Sequence, residues 1–507
     1  MARLLPLLFL LAACDDAARP SVWIDAGPRP DGGYPFGDAG LDAGPVVDAG
    51  TDAGGPARGR FRFANLSSSL GALDVYEVGN PLALARGVAY RGASGYASVP
   101  VGDVALELRV TGSTPADPPI ATLDAIAVDA GDAELVSFAG TLEALRVVRV
   151  DDHADEEPPL GSAYATVLHE LGGFGTTSAN LDDDPEPELS NLAPRGRADR
   201  VAIPVGEGAP TTLADDARRS FGFTWVEGLE DGSTITLALV GEVDGVGEDA
   251  PGLLAILPET GGSSGTIFLR PDPEVALLQA SPSVIDATVE VASVAFGTLA
   301  FGEVVAPMRV PPGNAYVSVI GRDLGGESVF AGGTAGDLAR GERYLVVLGG
   351  PTGSRDVRRF EVVSTRLAMT APGTEARAHV MHVSEDAPGP LGFFLDGVVL
   401  EDVEVGYASR TPLPGIALPT GNRDLGFGTP GSVASWRFET TIPNGRVAYV
   451  VAGRYFATDP EAPDALGVLA VDLDAWRVTR LAALAGSGPR EGEEPPRPEE
   501  PGGGIGI

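Results

Sequence analysis

A four-fold repeat with a period of about 105 residues constrains the fold of this chain more than any other feature. An apolar-Pro-x-Gly motif occurs at Val99–Gly102, Ile203–Gly206, Val310–Gly313 and Leu418–Gly421, and its first prolines lie 104, 107 and 108 residues apart. Each motif is followed by a glycine turn and a strand that ends at another glycine, 38, 35, 36 and 32 residues after the motif's own glycine. Because this period is the length of a domain, the sequence predicts four domains in tandem.

The residue pattern within each unit predicts β-strands. Val104, Leu106, Leu108 and Val110 alternate with Ala, Glu and Arg, which is typical of a strand with one buried face. Tyr344–Leu348 is a continuous apolar run, as expected for a central core strand. Gly and Pro together supply 112 of the 507 residues, which disfavours long helices.

We therefore expect an all-β chain of four tandem immunoglobulin-like β-sandwich domains behind a disordered N-terminal tether. The predicted domains span residues 60–152, 161–260, 266–366 and 376–482, and the second is the most diverged.

The N-terminus predicts export and lipid attachment. Residues 1–13 carry one Arg and then an apolar run that ends Leu11-Ala12-Ala13, and Cys14, the only cysteine, follows directly. A run this short fits a signal peptide and not a membrane span. Leu-Ala-Ala-Cys resembles the processing box of bacterial lipoproteins, in which the cysteine becomes the first mature residue and carries the lipid. The resemblance implies acylation of Cys14 and a place in the envelope of a Gram-negative-type bacterium, at the outer membrane or cell surface in preference to the inner membrane.

The segments at the two ends of the chain have compositions that disfavour folding. Residues 14–59 contain Asp-Ala-Gly five times among six prolines, and residues 483–507 are rich in Glu, Pro and Gly. Such segments bury too little apolar area to offset their ordering entropy. We expect 14–59 to be a disordered tether and 483–507 a disordered acidic tail.

Several short motifs resemble a known family. His382-Val-Ser-Glu-Asp-Ala-Pro388 and the following Leu418–Gly421 corner look like the bacterial domain-of-unknown-function 4397 family. Leu73–Tyr76 in the first unit and Gln279–Pro282 in the third match parts of the same pattern, whereas the second unit lacks the opening motif. The resemblance implies secreted or envelope-anchored β-sandwiches. It supplies no catalytic residue.

Acidic side chains dominate the charged surface. The net charge is −36, and every one of the 35 basic residues is Arg, so nucleic acid is an unfavourable partner. Asp182, Asp184 and Glu186 lie in a run of clustered carboxylates, which are ligands that Ca²⁺ prefers. They are the candidate metal ligands. The alternative is a solvated, self-repelling loop, and no other cofactor is expected.

Two further motifs have structural readings that we favour over chemical ones. His379 and His382 are three residues apart, which places them on opposite faces of a strand, and we expect His382 to cap a turn. Gly261–Gly265 matches the Gly-x-Ser-x-Gly elbow of hydrolases, but an apolar strand-like segment follows it where the elbow requires a helix. We interpret it as a linker between domains.

These observations favour a non-enzymatic, lipid-anchored envelope protein. Its expected partners are membrane lipid, through the acylated Cys14, and an extracellular protein or glycan. A carbohydrate-active hydrolase that uses loop carboxylates and a Ca²⁺-stabilised surface array are the competing hypotheses.

Overall fold

The computed structural model describes residues 57–489 apart from 115, 153–156, 182–185, 207–209, 218, 226–228, 244, 246, 261–262, 324–325, 327, 351–360, 368–374, 385, 388, 458, 460 and 463. Over these residues the regular elements are β-strands and three short 3₁₀ helices, Ser68–Leu70, Leu142–Ala144 and Gly247–Asp249. No helix within the described ranges has the length and apolar character needed to cross a bilayer. The predicted all-β fold is confirmed.

The strands group into four β-sandwich domains. Domain 1 contains β1 (Arg58–Asn65), β2 (Leu73–Glu77), β3 (Ala83–Val88), β4 (Ala97–Pro100), β5 (Gly102–Val104), β6 (Leu106–Val110), β7 (Ala121–Thr122), β8 (Ile126–Val128), β9 (Ala133–Ala139) and β10 (Arg146–Asp151). Domain 2 contains β11 (Ser162–His169), β12 (Thr177–Asn180), β13 (Leu189–Leu192), β14 (Arg197–Pro204), β15 (Pro210–Asp215), β16 (Ser220–Thr224), β17 (Thr234–Val240), β18 (Gly252–Thr260) and β19 (Ser263–Leu269).

The second half of the chain repeats this arrangement. Domain 3 contains β20 (Glu274–Gln279), β21 (Val284–Val291), β22 (Val294–Ala300), β23 (Val304–Arg309), β24 (Gly313–Asp323), β25 (Ser328–Leu338), β26 (Arg343–Gly349) and β27 (Glu361–Leu367). Domain 4 contains β28 (Glu375–His382), β29 (Leu391–Leu395), β30 (Val398–Val405), β31 (Ser409–Arg410), β32 (Ile416–Pro419), β33 (Gly421–Gly428), β34 (Trp436–Ile442), β35 (Arg446–Ala452), β36 (Gly467–Asp472) and β37 (Arg477–Leu481).

All four domains share one topology, including the second. In each, the first strand (β1, β11, β20 or β28) pairs in parallel with the strand that follows the glycine turn of the repeat (β9, β17, β26 or β35). The first strand also pairs antiparallel with the strand that ends near the Pro-x-Gly corner (β4, β14, β23 or β32). A second, four-stranded sheet covers the first, in the orders β3-β2-β6-β7, β13-β12-β15-β16, β22-β21-β24-β25 and β30-β29-β33-β34. The four-fold sequence repeat therefore corresponds to a four-fold repeat of the same strand order.

At each Pro-x-Gly corner the chain leaves the sheet of the first strand. It next enters the second sheet in domains 2, 3 and 4, and in domain 1 it first forms the two-stranded β5–β8 sheet. In domain 4, for example, β32 ends at Pro419 on one sheet and β33 begins at Gly421 on the other. Proline has no N–H to donate and so ends the edge strand, and Gly421 turns the chain with φ near 101°, a conformation that favours glycine. The repeated strand of each domain ends at or beside a second glycine, which we call the closing glycine: Gly140, Gly241, Gly349 or Gly453. Its environment is crowded as well, since a Cβ on Gly241 would lie 2.4 Å from the carbonyl oxygen of Ala250.

Three predicted boundaries differ from the structure. Ser263–Leu269 pairs with β18, so domain 2 extends to residue 269, and the predicted start of the third domain at 266 is wrong. Of the Gly261–Gly265 stretch, interpreted from the sequence as a linker between domains, residues 263–265 are part of β19 and pair within domain 2. The first described strand begins at Arg58, two residues before the predicted start of the first domain at residue 60. Residues 483–488 hydrogen-bond to β34 at the start of the predicted tail.

Candidate functional site: domain interfaces and a polar cleft

Domains 1 and 2 are joined face to face by the sheets that contain their first strands, β1 and β11. A shared cluster of buried apolar side chains has members from both domains. Domain 1 contributes Ala64, Leu66, Leu135, Ala139 and Val150, and domain 2 contributes Leu168, Ala238, Val240, Leu254 and Ile256. Burial of apolar area on this scale makes the two domains one unit, which we call the first pair.

Domains 3 and 4 repeat the same association and form the second pair. Leu278, Leu345 and Val347 of domain 3 share a buried cluster with Met381 and Val450 of domain 4. The sheets approach so closely that a Cβ on the closing glycine of β26 would lie 2.5 Å from a side-chain carbon of the following domain. The domains are therefore two matched pairs, which the four-domain repeat did not reveal.

A buried ionic network ties the first pair together. Arg62 of β1 has no exposed surface, and its Nε and Nη2 donate to the Asp152 carboxylate at 2.5 and 2.6 Å. Its Nη1 donates to the backbone oxygen of Leu257 in domain 2. Tyr96 adds a hydroxyl donor to Asp152 at 2.7 Å, and its backbone N–H donates to Glu259 of domain 2. Because every charge here is partnered, the network is favourable only as a whole.

Two histidines of β28 occupy the two faces predicted for them. His379 lies in the interface of the second pair, with Nδ1 3.5 Å from Thr365 Oγ1 of domain 3. His382 is also buried, and its Nδ1 accepts the backbone N–H of Ser384, which is the predicted turn cap. Burial lowers the pKa of His379 to about 4, helped by the charges of Arg410 and Arg377, and burial also lowers the pKa of His382 to about 4.

The first and second pairs meet at a polar junction around Asp272. Its carboxylate accepts the N–H and the hydroxyl of Thr224, in domain 2, at 3.2 and 2.7 Å. The same carboxylate accepts Arg340 Nη1, from domain 3, at 2.7 Å. Arg309 of domain 3 reaches back to Ser220 at 2.7 Å. Burial raises the pKa of Asp272 in spite of these partners, so the hydrogen bonds of this junction are largely desolvated.

A polar cleft of about 760 Å³ opens between the two sheets of domain 4. It lies between β33 and β34 of one sheet and β35, β36 and β37 of the other. The side chains that define it here are Arg423, Asp424, Glu439, Tyr449, Asp472 and Arg477. Beside this polar cleft, Arg423 Nε is buried without a hydrogen-bond partner among the described residues, and the buried Tyr449 hydroxyl lies next to the Thr440 side chain.

Of the candidate site residues from the sequence, only Glu186 lies within the described residues. Cys14, Asp182 and Asp184 lie outside the described residues. Glu186 is exposed on the segment before β13. Within the described ranges, no group of three or more His, Cys, Asp or Glu side chains is arranged to hold a metal ion.

The interfaces and the polar cleft are the features that the sequence analysis missed. The signal for the interfaces was present in the continuous apolar runs: Tyr344, Val346 and Leu348 face the domain core, while Leu345 and Val347 face the neighbouring domain. The signal for the cleft was the loss of apolar character at one end of several strands. Neither signal predicts which other strand covers the interface or forms the opposite wall of the cleft.

Comparison with known proteins identifies the repeated unit. A model of the family described as "Domain of unknown function (DUF4397)" matches residues 59–171 and 273–389, together less than half of the chain. Each match spans the first domain of a pair and the first strand of the second, β11 or β28. No curated protein matches the chain.

Among solved structures, the Bacillus anthracis TIE protein aligns over 78% of this chain and 68% of its own, with 9% sequence identity and a TM-score of 0.14. At residues 59–171 and 273–389 this chain carries tandem domains of the DUF4397 family.

Proposed function

We propose that this chain is a non-enzymatic, lipid-anchored protein of the bacterial envelope that presents four β-sandwiches as two fixed pairs. Acylated Cys14 would hold it to membrane lipid, at the outer membrane or cell surface. Residues 14–59 would separate the anchor from domain 1. The domains would then offer their surfaces to an extracellular protein or glycan.

The observation that carries this proposal is the use of buried side chains at the domain boundaries. Apolar clusters join domains 1 to 2 and 3 to 4. Buried Arg62, paired with Asp152, donates to Leu257 O across the boundary of domains 1 and 2. Asp272 accepts hydrogen bonds from Thr224 of domain 2 and Arg340 of domain 3 where the two pairs meet. These buried contacts fix the orientation of neighbouring domains, which supports a presenting scaffold, because independent domains on flexible linkers would not require such contacts.

The acidic composition supports the same role. A net charge of −36 keeps a secreted chain soluble and repels nucleic acid and other acidic surfaces. Mutual repulsion along the acidic segment 14–59 would favour an extended tether over a collapsed one.

The anchoring part of the proposal is tested by metabolic labelling with radioactive palmitate, followed by membrane fractionation. We expect the wild-type chain to incorporate label and to sediment with membranes. Cys14→Ala should lose both properties, since several acyl chains are needed for stable attachment. Membrane retention of the Cys14→Ala chain would contradict the proposal, and an Asp16→Ala chain, still labelled, controls for substitutions near the processing site.

A further inference from the structure

An apolar groove of about 580 Å³ opens along one side of domain 1. It lies between β10, the edge strand of one sheet, and the segment that contains β7 and the start of β8. Three of its lining side chains contact the domain core but are only half-buried: Leu123, Leu145 and Val147. Leu142 stands at the rim with 49% of its surface exposed. The core of domain 1 is therefore incompletely covered on this side.

The other three domains have a strand that covers the equivalent side. In domains 2 and 4 a fifth strand, β19 or β37, pairs with the strand equivalent to β10. Leu269 of β19 and Leu481 of β37 are buried in the cores of their domains. In domain 3 the eleven-residue strand β25 lies against β27, and Ser364 Oγ donates to Ala335 O at 2.6 Å. Within its described residues domain 1 has neither arrangement, since β10 ends its sheet and β7 is only two residues long.

The free edge of β10 is able to hydrogen-bond to an added strand. The N–H of Asp152 donates to Ala133 O of β9 at 2.9 Å, and the bonded pairs of an antiparallel ladder alternate along the strand. The N–H and C=O groups of Val147 and Arg149 therefore point away from β9. In keeping with that direction, the C=O of Arg149 accepts Arg197 Nη1 of domain 2. The N–H and C=O of Val147 lie on the same free edge, beside the groove.

The chain that precedes β1 enters domain 1 next to this groove. A Cβ on Gly59 would lie 2.5 Å from Val128 of β8, two residues beyond Ile126 in the groove wall. Upstream, residues 14–56 contain one run of three large apolar side chains without proline, Val22-Trp23-Ile24. Residues 25–57 separate that run from β1, and a flexible chain of this length averages roughly 30 Å end to end. The run can therefore reach the whole groove.

The chemistry of this run matches the groove. Its Val and Ile favour an extended conformation, and its Trp supplies a large apolar surface. Residues 17–24 carry a single charge, that of Arg19. The groove rim carries Asp124 and Glu143, whose carboxylates have no ion-pair partner among the described residues. An approaching segment with one positive charge is therefore attracted and not repelled.

We propose that Val22–Ile24 of this same chain docks as an extended strand beside β10, with its side chains in the apolar groove of domain 1. Docking would supply the fifth strand that domains 2 and 4 contain within themselves. A consequence that rests on the proposed anchor at Cys14 concerns the height of domain 1 above the membrane. The eight steps from Cys14 to Val22 span at most roughly 30 Å, against roughly 150 Å for the 44 steps to Arg58.

The first test is photo-crosslinking of the full-length chain in cells, with p-benzoylphenylalanine in place of Leu142 at the groove rim. After irradiation and digestion, mass spectrometry identifies the residues joined to position 142. We expect an intramolecular crosslink to the peptide that contains Val22–Ile24, reduced in Trp23→Ser and unchanged in Tyr34→Ser, which alters another aromatic residue of the same segment. The photoprobe in place of Leu82, exposed beside β3 at the opposite edge of the second sheet, should give no such crosslink.

Hydrogen exchange of the purified chain in detergent tests the strand pairing itself. Docking would bond the outward N–H of Val147. Trp23→Ser should therefore speed exchange of that amide by about tenfold or more, the effect of losing the burial of one large apolar side chain. The N–H of Val148 bonds to β9 within the sheet and should exchange at the same rate in both chains.

Crosslinks from position 142 to a second copy, to residues 483–507 or to no protein segment would overturn the docked strand. An equal exchange rate of the Val147 amide in the wild type and in Trp23→Ser would overturn it as well. A Cys14→Ala chain that leaves the membrane but keeps the crosslink supports docking, so the failure of anchoring and the failure of docking are distinguishable.

Discussion

Replacing Arg62 by Ala tests whether the first pair is held by its buried ionic network. The substitution removes two hydrogen bonds to Asp152 and one to the backbone of Leu257. The Asp152 carboxylate, with a side chain only 8% exposed, would keep Tyr96 Oη as its remaining partner among the contacts described above. Breaking one side of a buried ion pair costs about 3–5 kcal/mol, so we expect a loss of that size in the free energy of unfolding.

The loss should appear in both domains of the first pair, since Arg62 lies in domain 1 and Leu257 in domain 2. Domain 1 contains no tryptophan in its described residues, so fluorescence would not report on it. Hydrogen exchange mass spectrometry at increasing urea concentrations resolves each domain separately. Domains 3 and 4 then serve as an internal control within the same molecule.

Two further variants make the measurement decisive. Arg58→Ala removes an exposed arginine from the same strand and should cost less than about 1 kcal/mol. The double variant Arg62→Met with Asp152→Leu removes both charges and should recover most of the loss, because the penalty arises from leaving one charge buried alone. An Arg62→Ala cost no larger than that of Arg58→Ala would refute the reasoning.

Three other predictions follow from buried groups and close contacts. The stability of domain 4 should fall as the pH drops from about 6.5 to about 4, because unfolded histidines bind protons in that range while His379 and His382, with pKa values near 4, do not; a urea midpoint independent of pH over this window would contradict it. Gly241→Ala should cost at least about 2 kcal/mol in calorimetry, since a Cβ would meet a carbonyl oxygen at 2.4 Å with φ near 97°, whereas Gly206→Ala meets no atom and should cost nearly nothing; equal costs would refute the close-contact explanation. Asp272→Ala should broaden the range of orientations between the pairs without unfolding either one, and small-angle scattering identical to the wild type would oppose that expectation.

The sequence predicted the class of fold and the number of domains because both depend on local chemistry. Proline and glycine mark each sheet crossing, and two-residue alternation marks each strand. These signals survive even in domain 2, which lacks the opening motif of the family. The shared strand order therefore follows from turn and strand positions that can be read residue by residue.

The association of the domains could not be predicted because it depends on contacts far apart in sequence. A run such as Leu345-Val346-Val347 shows that both faces of a strand are buried, but not which surface covers the second face. The prediction of a linker between β18 and β19 was wrong for a related reason. Ser and Gly suit both a linker and a hairpin turn, and only the pairing of β18 with β19 distinguishes the two. Residues 483–488 join β34 through backbone hydrogen bonds, which leave no apolar signature.

The polar cleft escaped prediction in the same way. Arg423, Thr440, Asp472 and Arg477 lie on four strands spread over more than fifty residues, and each alone looks like an exposed polar position. Only the arrangement of the two sheets brings them to one opening. The residues proposed from sequence, Asp182, Asp184 and Glu186, were chosen because they are adjacent in the chain, which is the one kind of proximity that sequence displays.

Residual dipolar couplings, measured by NMR on the deuterated full-length chain, test most directly whether the four domains form two fixed pairs. Domains that move as one body share one alignment tensor, whereas domains on a flexible linker average separately. We predict one common tensor for domains 1 and 2, and one for domains 3 and 4, because apolar clusters join each pair. Tensors of different magnitude within either pair would contradict the claim.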